Sequence, residues 1–117
     1  HEQGAVAVIA HPYFFLKLFL NVRDVTEAHF DSVEVANASN IPFNWTCRKG
    51  AALAQRLMLP QTGGSDSHIP DTVGRAYTFV ESESRDVEDI IQSIRKGCTD
   101  AQGTGMSLFE RFKKYLR

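Results

Sequence analysis

The chain has 117 residues, of which 43% are hydrophobic and 23% charged, and its formal net charge is −1. This length and composition suit one ordinary globular domain with its own hydrophobic core. The balanced charge excludes a general electrostatic basis for binding nucleic acid or an anionic membrane, so any contact with nucleic acid would have to be local.

Cysteine usage and hydropathy indicate the compartment. Cys47 and Cys98 lie far apart and form no Cys-x-x-Cys pair, which fits a reducing, cytoplasmic setting and argues against a disulfide scaffold. The apolar run at residues 14–20 is too short to span a membrane and contains a lysine, so we expect no membrane partner. The chain begins without methionine and runs straight into an apolar strand, so we expect it to be part of a larger protein.

The first half of the chain predicts two strands and one well-defined helix. Residues 5–10 form a continuous apolar run, typical of a strand buried on both faces of a parallel sheet. Residues 13–22 predict a short helix or a packed loop, with a further helical turn at 26–30. The alternating residues 31–37 predict the second strand, and residues 46–58 carry apolar side chains at helical spacing.

The second half continues the alternation. Residues 61–64 predict a third strand and residues 76–81 a fourth. A helix follows, with Ser84 as its N-cap and Gly97 as its stop. Residues 98–105 can hold a short strand and a glycine turn.

A last helix is predicted by the capping-box spacing of Ser107 and Glu110. Its apolar residues should face the core, and its basic residues should face solvent. The inward set is Leu108, Phe112, Tyr115 and Leu116, and the outward set is Arg111, Lys113, Lys114 and Arg117.

Strands that alternate with helices imply an α/β fold built from parallel β/α units in a single domain, residues 1–117. In such folds, functional sites collect at the carboxyl ends of the strands. The aromatic run at residues 13–19 is more typical of core than of a binding site. If it is exposed, it predicts an interface through which the protein forms an oligomer.

Polar side chains with metal-binding chemistry follow three predicted strands. Asp66 and His68 lie two residues apart after the third strand, and in an extended segment they would point the same way. His11 follows the first strand, and Glu34 and Asn37 lie near the end of the second. Mixed histidine and carboxylate ligation suits zinc, manganese or iron.

Simpler interpretations stand beside this one. Asp66 and His68 can merely cap a turn, because Ser-Asp-Ser clusters commonly do so. His11, which precedes a proline, can be an ordinary loop histidine. Arg48 and Lys49 open the helix near the proposed edge and could contact a substrate phosphate, although a solvated first turn is the commoner role for such residues.

The motifs at residues 10–12 (AHP), 33–37 (VEVAN) and 64–68 (GSDSH), with Val73, Gly74 and Thr78 downstream, resemble the carboxyl-terminal half of the PHP (polymerase and histidinol phosphatase) family. The order and spacing match from about residue 4 to residue 97. The resemblance implies a distorted β/α barrel that holds divalent metals and hydrolyses phosphate esters.

Within that resemblance, His11, Asp66 and His68 match metal ligands of the family, and Glu34 and Asn37 match residues that support those ligands. The implied substrate is a phosphorylated small molecule or a nucleotide. The family's ligand set opens with a His-x-His motif near the amino terminus, which this chain lacks. We therefore expect the carboxyl-terminal part of a PHP domain, inactive or weakly active by itself.

Two other functions remain open on the sequence. One is a non-catalytic PHP-like domain that binds or assembles with partners and has a degenerate metal site. The other is an unrelated metal-binding α/β domain.

Overall fold

The computed structural model describes residues 1–14, 17–18, 21–113 and 115–116 of the chain. Within them the strands are β1 (Val8–Ile9), β2 (Tyr13–Phe14), β3 (Lys17–Leu18), β4 (Ser32–Asn37), β5 (Gln61–Gly64), β6 (Ala76–Val80) and β7 (Thr99–Gly103). The helices are α1 (Val22–Glu27), α2 (Phe43–Leu57), α3 (Val87–Lys96) and α4 (Leu108–Lys113), and a short 3-10 turn covers Pro70–Thr72. No helix in this described part of the chain is long and apolar enough to cross a membrane.

The central sheet is parallel and has the strand order β1-β4-β5. Ile9 pairs with Val33 between the first two strands, and Asn37 pairs with Gly64 between the last two. The register between β4 and β5 shifts between Glu34 and Ala36. Such an irregularity redirects side chains locally, and here it falls in the strand that carries Glu34 and Asn37.

The mixed α/β class predicted from the sequence is confirmed, but the strands are not all parallel. β6 and β7 form a separate antiparallel pair, and the strands within the described ranges do not close into a barrel. The Thr78 hydroxyl joins this pair to β5, because it accepts from the Gly63 amide at 2.9 Å and donates to the Gly63 carbonyl at 2.8 Å. The Thr99 hydroxyl of β7 also donates to the Gln61 carbonyl of β5 at 2.7 Å, so threonine side chains bridge the two sheets.

The core lies between β4 and α2. Val33, Val35, Leu53 and Ala54 are buried there, and Ala54 lies on the buried face of α2 as its helical spacing predicts. Gly50 permits the close approach of helix and strand, since a Cβ at Gly50 would lie 3.0 Å from the Val35 Cα. The predicted helix is confirmed and begins three residues earlier, at Phe43.

The amino-terminal prediction needs two corrections. The first strand covers only Val8–Ile9 of the predicted residues 5–10, and Val8 is 38% exposed, so this strand is not buried on both faces. It lies at the edge of the sheet, where one face is less covered. Within residues 13–22, β2 and β3 pair as antiparallel strands instead of forming a helix, while residues 15–16 and 19–20 lie outside the described residues.

Helix α3 begins later than predicted. Its N-cap is Asp86, and the Ser84 hydroxyl instead accepts from the Asp86 amide at 3.0 Å and contacts Asp89 at 2.5 Å. Gly97 ends the helix in a left-handed conformation (φ 79°), as predicted. Glycine adopts this conformation without the steric penalty that a Cβ would impose.

The last helix lies where the sequence predicts it, but its predicted orientation is wrong. Its capping box is present: the Ser107 amide donates to Glu110 at 2.8 Å, and the Glu110 amide donates to the Ser107 hydroxyl at 3.2 Å. All of the residues predicted to face inward are exposed, namely Leu108, Phe112, Tyr115 and Leu116. Arg111, predicted to face solvent, is partly buried, and Lys114 and Arg117 lie outside the described residues.

Candidate functional site

Side chains from neighbouring strands meet at the carboxyl edge of the parallel sheet. Glu34 Oε2 accepts a 2.7 Å hydrogen bond from the backbone amide of His11 and a 3.0 Å bond from Asn37 Nδ2. The same Asn37 amide group lies 3.4 Å from Asp66 Oδ2. The side chains of Glu34 in β4, Asn37 and Asp66 after β5 therefore meet at this edge, and Asn37 links the two carboxylates. His11 joins this cluster through its backbone amide and not through its side chain.

Asn37 is suited to this linking role because it is 1% exposed and because both its Oδ1 and its Nδ2 make hydrogen bonds. Its Oδ1 accepts from the Ser39 amide at 2.9 Å, which forms a turn directly after β4 and orients the Nδ2 group toward the carboxylates. The Ser39 hydroxyl in turn donates to the Asp66 carbonyl at 3.1 Å. The loop after β4 thus fixes the position of the loop after β5.

Asp66 and His68 come close for a reason different from the one predicted. The backbone at Asp66 is left-handed (φ 48°), so the segment is not extended. His68 Nδ1 lies 2.9 Å from the Asp66 carbonyl oxygen and 4.0 Å from the Asp66 carboxylate. A tight turn, and not the alternation of a strand, brings the two side chains together.

This turn has a consequence for the tautomer of His68. A carbonyl oxygen can only accept, so the 2.9 Å contact is a hydrogen bond when Nδ1 carries the proton. The neutral ring then has its lone pair on Nε2, and the exposed His68 side chain can present that nitrogen to a ligand. Metal-binding histidines commonly donate their other ring N–H in this way.

The described residues fit a metal only in part. Asp66, His68 and His11 have the nitrogen and oxygen donors that zinc, manganese and iron accept. However, no group of three or more histidine, cysteine, aspartate or glutamate side chains among those residues is placed to hold one ion. His11 contributes its backbone amide to the Glu34 contact, and its backbone is left-handed (φ 26°).

Arg48 and Lys49 lie in the first half of α2. Lys49 Nζ lies 5.6 Å from the centre of the Trp45 ring, which itself makes an edge-to-face contact with Tyr13 at 5.9 Å. Arg48 is exposed on α2 and lines shallow depressions on that helix. Neither residue lines the cleft beside Asp66, so a role in substrate binding stays a prediction.

A cleft of about 620 Å³ opens beside Asp66 and His68. One side is formed by the loops after β4 and β5, and the other by helix α4 with Met106 before it and Tyr115 after it. Its other lining residues are Ser39, Ile41, Ile69, Thr72, Met106, Leu108, Glu110, Arg111, Phe112 and Tyr115. The cleft therefore combines a polar end at the sheet edge with an apolar wall on α4.

Arg111 holds α4 against the site. Its Nη1 donates to the Ser39 carbonyl at 2.6 Å, and its Nη2 lies 3.3 Å from the carbonyls of both Ala38 and Asn40. Burial lowers the pKa of the Arg111 guanidinium, and the neighbouring Glu110 carboxylate partly opposes this. The sequence identified Ser107 and Glu110 through the capping box but gave no signal for the contacts of Arg111.

Comparisons with known proteins match part of this chain in sequence and most of it in fold. The model of a family described as PHP-associated matches residues 44–99, a stretch that contains Asp66 and His68. A solved structure, the crystal structure of PsfC from Pseudomonas syringae PB-5123, superposes with a TM-score of 0.67 at 23% identity. The alignment covers 93% of this chain and 43% of that chain, so the present chain spans less than half of PsfC. No curated protein matches the sequence.

Proposed function

We propose that this chain, which contains a PHP-associated region at residues 44–99, is the carboxyl-terminal part of a metal-dependent phosphoesterase. Its mixed sheet would then be a portion of a distorted β/α barrel that is completed outside this sequence. The coverage of PsfC supports the proposal, because a fold that accounts for 93% of this chain occupies only 43% of that larger one.

One observation carries the proposal: Asn37 joins Glu34 and Asp66 at the carboxyl edge of the parallel sheet, with both His11 and His68 beside them. A buried amide that holds two carboxylates near each other keeps negative charge concentrated at one place. Such a place favours a divalent cation, which offsets the repulsion between the carboxylates.

In this proposal His11, Asp66 and His68 are the ligand residues, and Glu34 and Asn37 support them. Zinc, manganese or iron suits these donors, and such an ion would neutralise phosphate charge in the substrate. The substrate class is a phosphorylated small molecule or a nucleotide. The free thiols of Cys47 and Cys98 support a reducing, cytoplasmic compartment.

The incomplete ligand geometry predicts weak metal binding and little turnover by the chain alone. The test is metal content after incubation with manganese or zinc, followed by dialysis and elemental analysis. Asp66→Ala should lose the bound metal. Asp86→Ala is the matched control, because the Asp86 side chain makes no capping hydrogen bond at α3, and it should retain the metal.

Equal metal content in Asp66→Ala and the wild type would contradict the ligand assignment. Hydrolysis of a generic phosphate ester provides a second measurement on the same proteins. Robust turnover by the isolated chain that disappears in Asp66→Ala would show that the site is complete within these residues.

A second function, a non-catalytic domain for binding or assembly, is favoured by the lack of a three-ligand group in the described residues. The two functions predict different effects of Asp66→Ala on hydrolysis by the parent protein. For an enzyme, Asp66→Ala in the parent should lower turnover by about 100-fold, as expected when a metal site is disrupted. For a binding domain, the parent should show no Asp66-dependent hydrolysis under any metal.

A further inference from the structure

The cleft beside Asp66 has polar groups that are already engaged. The Ser39 hydroxyl donates to the Asp66 carbonyl, and the Thr72 hydroxyl donates to the Ile69 carbonyl at 3.1 Å. Glu110 accepts from Ser107 and from Arg75 Nε, the latter at 2.8 Å. A sugar or peptide entering the cleft would therefore find few free partners for its own polar groups, and their desolvation would be uncompensated.

The apolar wall of the cleft offers the opposite chemistry. Leu108 and Phe112 lie four residues apart, so they share one face of α4, and Tyr115 extends that face beyond the helix. All of these side chains are exposed and line the same cavity as Asp66 and His68. Ile41 and Ile69 contribute apolar surface from the opposite loops.

The volume of about 620 Å³ lies in the range of pockets that hold a small organic ligand. Aromatic rings on the wall bind another ring through stacked or edge-to-face contacts in addition to burying its area. A ligand that spans the cleft would then place an aromatic body against α4 and a charged group at the Asp66 end.

We propose that this cleft binds the aromatic portion of a phosphate ester, with the ring against Leu108, Phe112 and Tyr115 and the phosphoryl group toward Asp66 and His68. This assignment rests on the proposed phosphoesterase function and names its substrate class. Hydroxyl-rich phosphate esters, such as glycerol phosphate, are disfavoured because the Ser39 and Thr72 hydroxyls and the Glu110 carboxylate are committed to protein partners.

The test measures binding of three probes, namely 1-naphthyl phosphate, 1-naphthol and glycerol 2-phosphate, each with and without manganese. Binding is monitored through the chemical shifts of the Ile41, Ile69 and Met106 methyl groups in NMR spectra. Both naphthyl probes should shift these methyl signals, and 1-naphthyl phosphate should bind at least about ten-fold more tightly than glycerol 2-phosphate. Phe112→Ala should weaken naphthyl binding by about ten-fold. Leu108→Ala provides a second variant of the same wall.

Phe109→Ala is the matched control, since Phe109 is an exposed phenylalanine on the same helix that does not line the cleft. It should bind the probes like the wild type. Equal affinity for all three probes, or an equal loss in Phe109→Ala and Phe112→Ala, would overturn the proposal. Binding of 1-naphthol requires neither metal nor hydrolysis, so it tests the aromatic subsite separately from the phosphoesterase function. The phosphoesterase proposal is contradicted by a different result, unchanged metal content in Asp66→Ala.

Discussion

The guanidinium of Arg111 donates a 2.6 Å hydrogen bond to the carbonyl oxygen of Ser39, although the two residues are 72 positions apart in the chain. Ser39 also contacts Asp66 through its hydroxyl, at 3.1 Å. Ser39 therefore connects α4 to the loop after β5, in addition to the direct contacts of Glu110 with Arg75 and of Lys113 with Asp71. Helix α4 forms a wall of the cleft and also holds the opposite edge in place.

Replacing Arg111 with glutamine should lower the free energy of unfolding by about 2 kcal/mol, because hydrogen bonds from a charged donor to the carbonyls of residues 38–40 are lost. Arg111→Lys should not retain the wild-type stability, since an ammonium group cannot reproduce the forked donor geometry of a guanidinium. Urea denaturation measures the change. Arg85→Gln, at an exposed arginine, is the control and should leave stability near that of the wild type.

An equal loss of stability in the Arg85 and Arg111 variants would contradict this account. The Arg111 variants should also change the amide shifts of residues 38–40 in NMR spectra, which a general loss of surface charge would not do.

The ionisation of Glu110 makes the free energy of unfolding depend on pH. Hydrogen bonding from the Ser107 backbone, then from the Arg75 side chain and the Ser107 hydroxyl, lowers the pKa of Glu110 from 4.5 to about 2. Because the folded pKa is the lower one, the stabilisation is present above pH 4.5 and is lost as the pH falls through about 2.

Glu110→Gln lacks this ionisation, so the stability difference between wild type and variant should narrow as the pH falls from 4.5 to 2. Denaturation at a series of pH values measures this difference in stability. Glu83→Gln, at an exposed glutamate, should follow the wild-type pH dependence across the same range. A difference between Glu110→Gln and wild type that stays constant over that range would refute the assignment.

The features predicted correctly from the sequence depend on short-range signals. The spacing of Ser107 and Glu110 locates the start of α4, and Gly97 marks the end of α3 in its left-handed conformation. The meeting of Glu34 with Asn37 and Asp66 followed from a simple rule, that parallel strands end at one edge. Each of these conclusions needs only local sequence and the direction of a strand.

The features that were missed depend on long-range contacts. A six-residue helix with apolar residues on several sides has no unique inward face, so the pattern could not show that Leu108 and Phe112 would be exposed. The partners of Arg111 are backbone carbonyls of a distant loop, which no side-chain pattern reveals. Likewise, the helix between β6 and β7 suggested parallel strands, but pairing of Ala76 with Gly103 makes them antiparallel.

Met58 offers a test of helix termination. Met58 ends α2 in a left-handed conformation (φ 53°), the role that Gly97 has at the end of α3. Its side chain is 90% exposed. Met58→Gly should raise the free energy of unfolding by about 0.5–1 kcal/mol, because the Cβ penalty of that conformation is removed and little packing is lost. Met58→Ala retains the Cβ and should show no gain in thermal or urea denaturation. If the alanine variant is the more stable one, the explanation is wrong.

Two adjacent glycines at the end of β5 should respond differently to the same substitution. A Cβ at Gly63 would lie 2.7 Å from the Tyr77 carbonyl and 3.2 Å from the Ala36 carbonyl, so backbone blocks it on both sides. A Cβ at Gly64 would lie 2.6 Å from Glu34 Oε1, at the end of a flexible side chain. Gly63→Ala should therefore cost about 3 kcal/mol and Gly64→Ala less than about 1 kcal/mol in urea denaturation.

Gly64→Ala should nevertheless alter the candidate site. Moving the Glu34 carboxylate weakens its hydrogen bonds from the His11 amide and from Asn37, so both NMR signals should shift while the fold persists. Metal content should fall in this variant if Glu34 helps to orient the ligands. Equal destabilisation by the two substitutions, or unchanged His11 and Asn37 signals in Gly64→Ala, would show that the Glu34 carboxylate is not confined against Gly64 in solution.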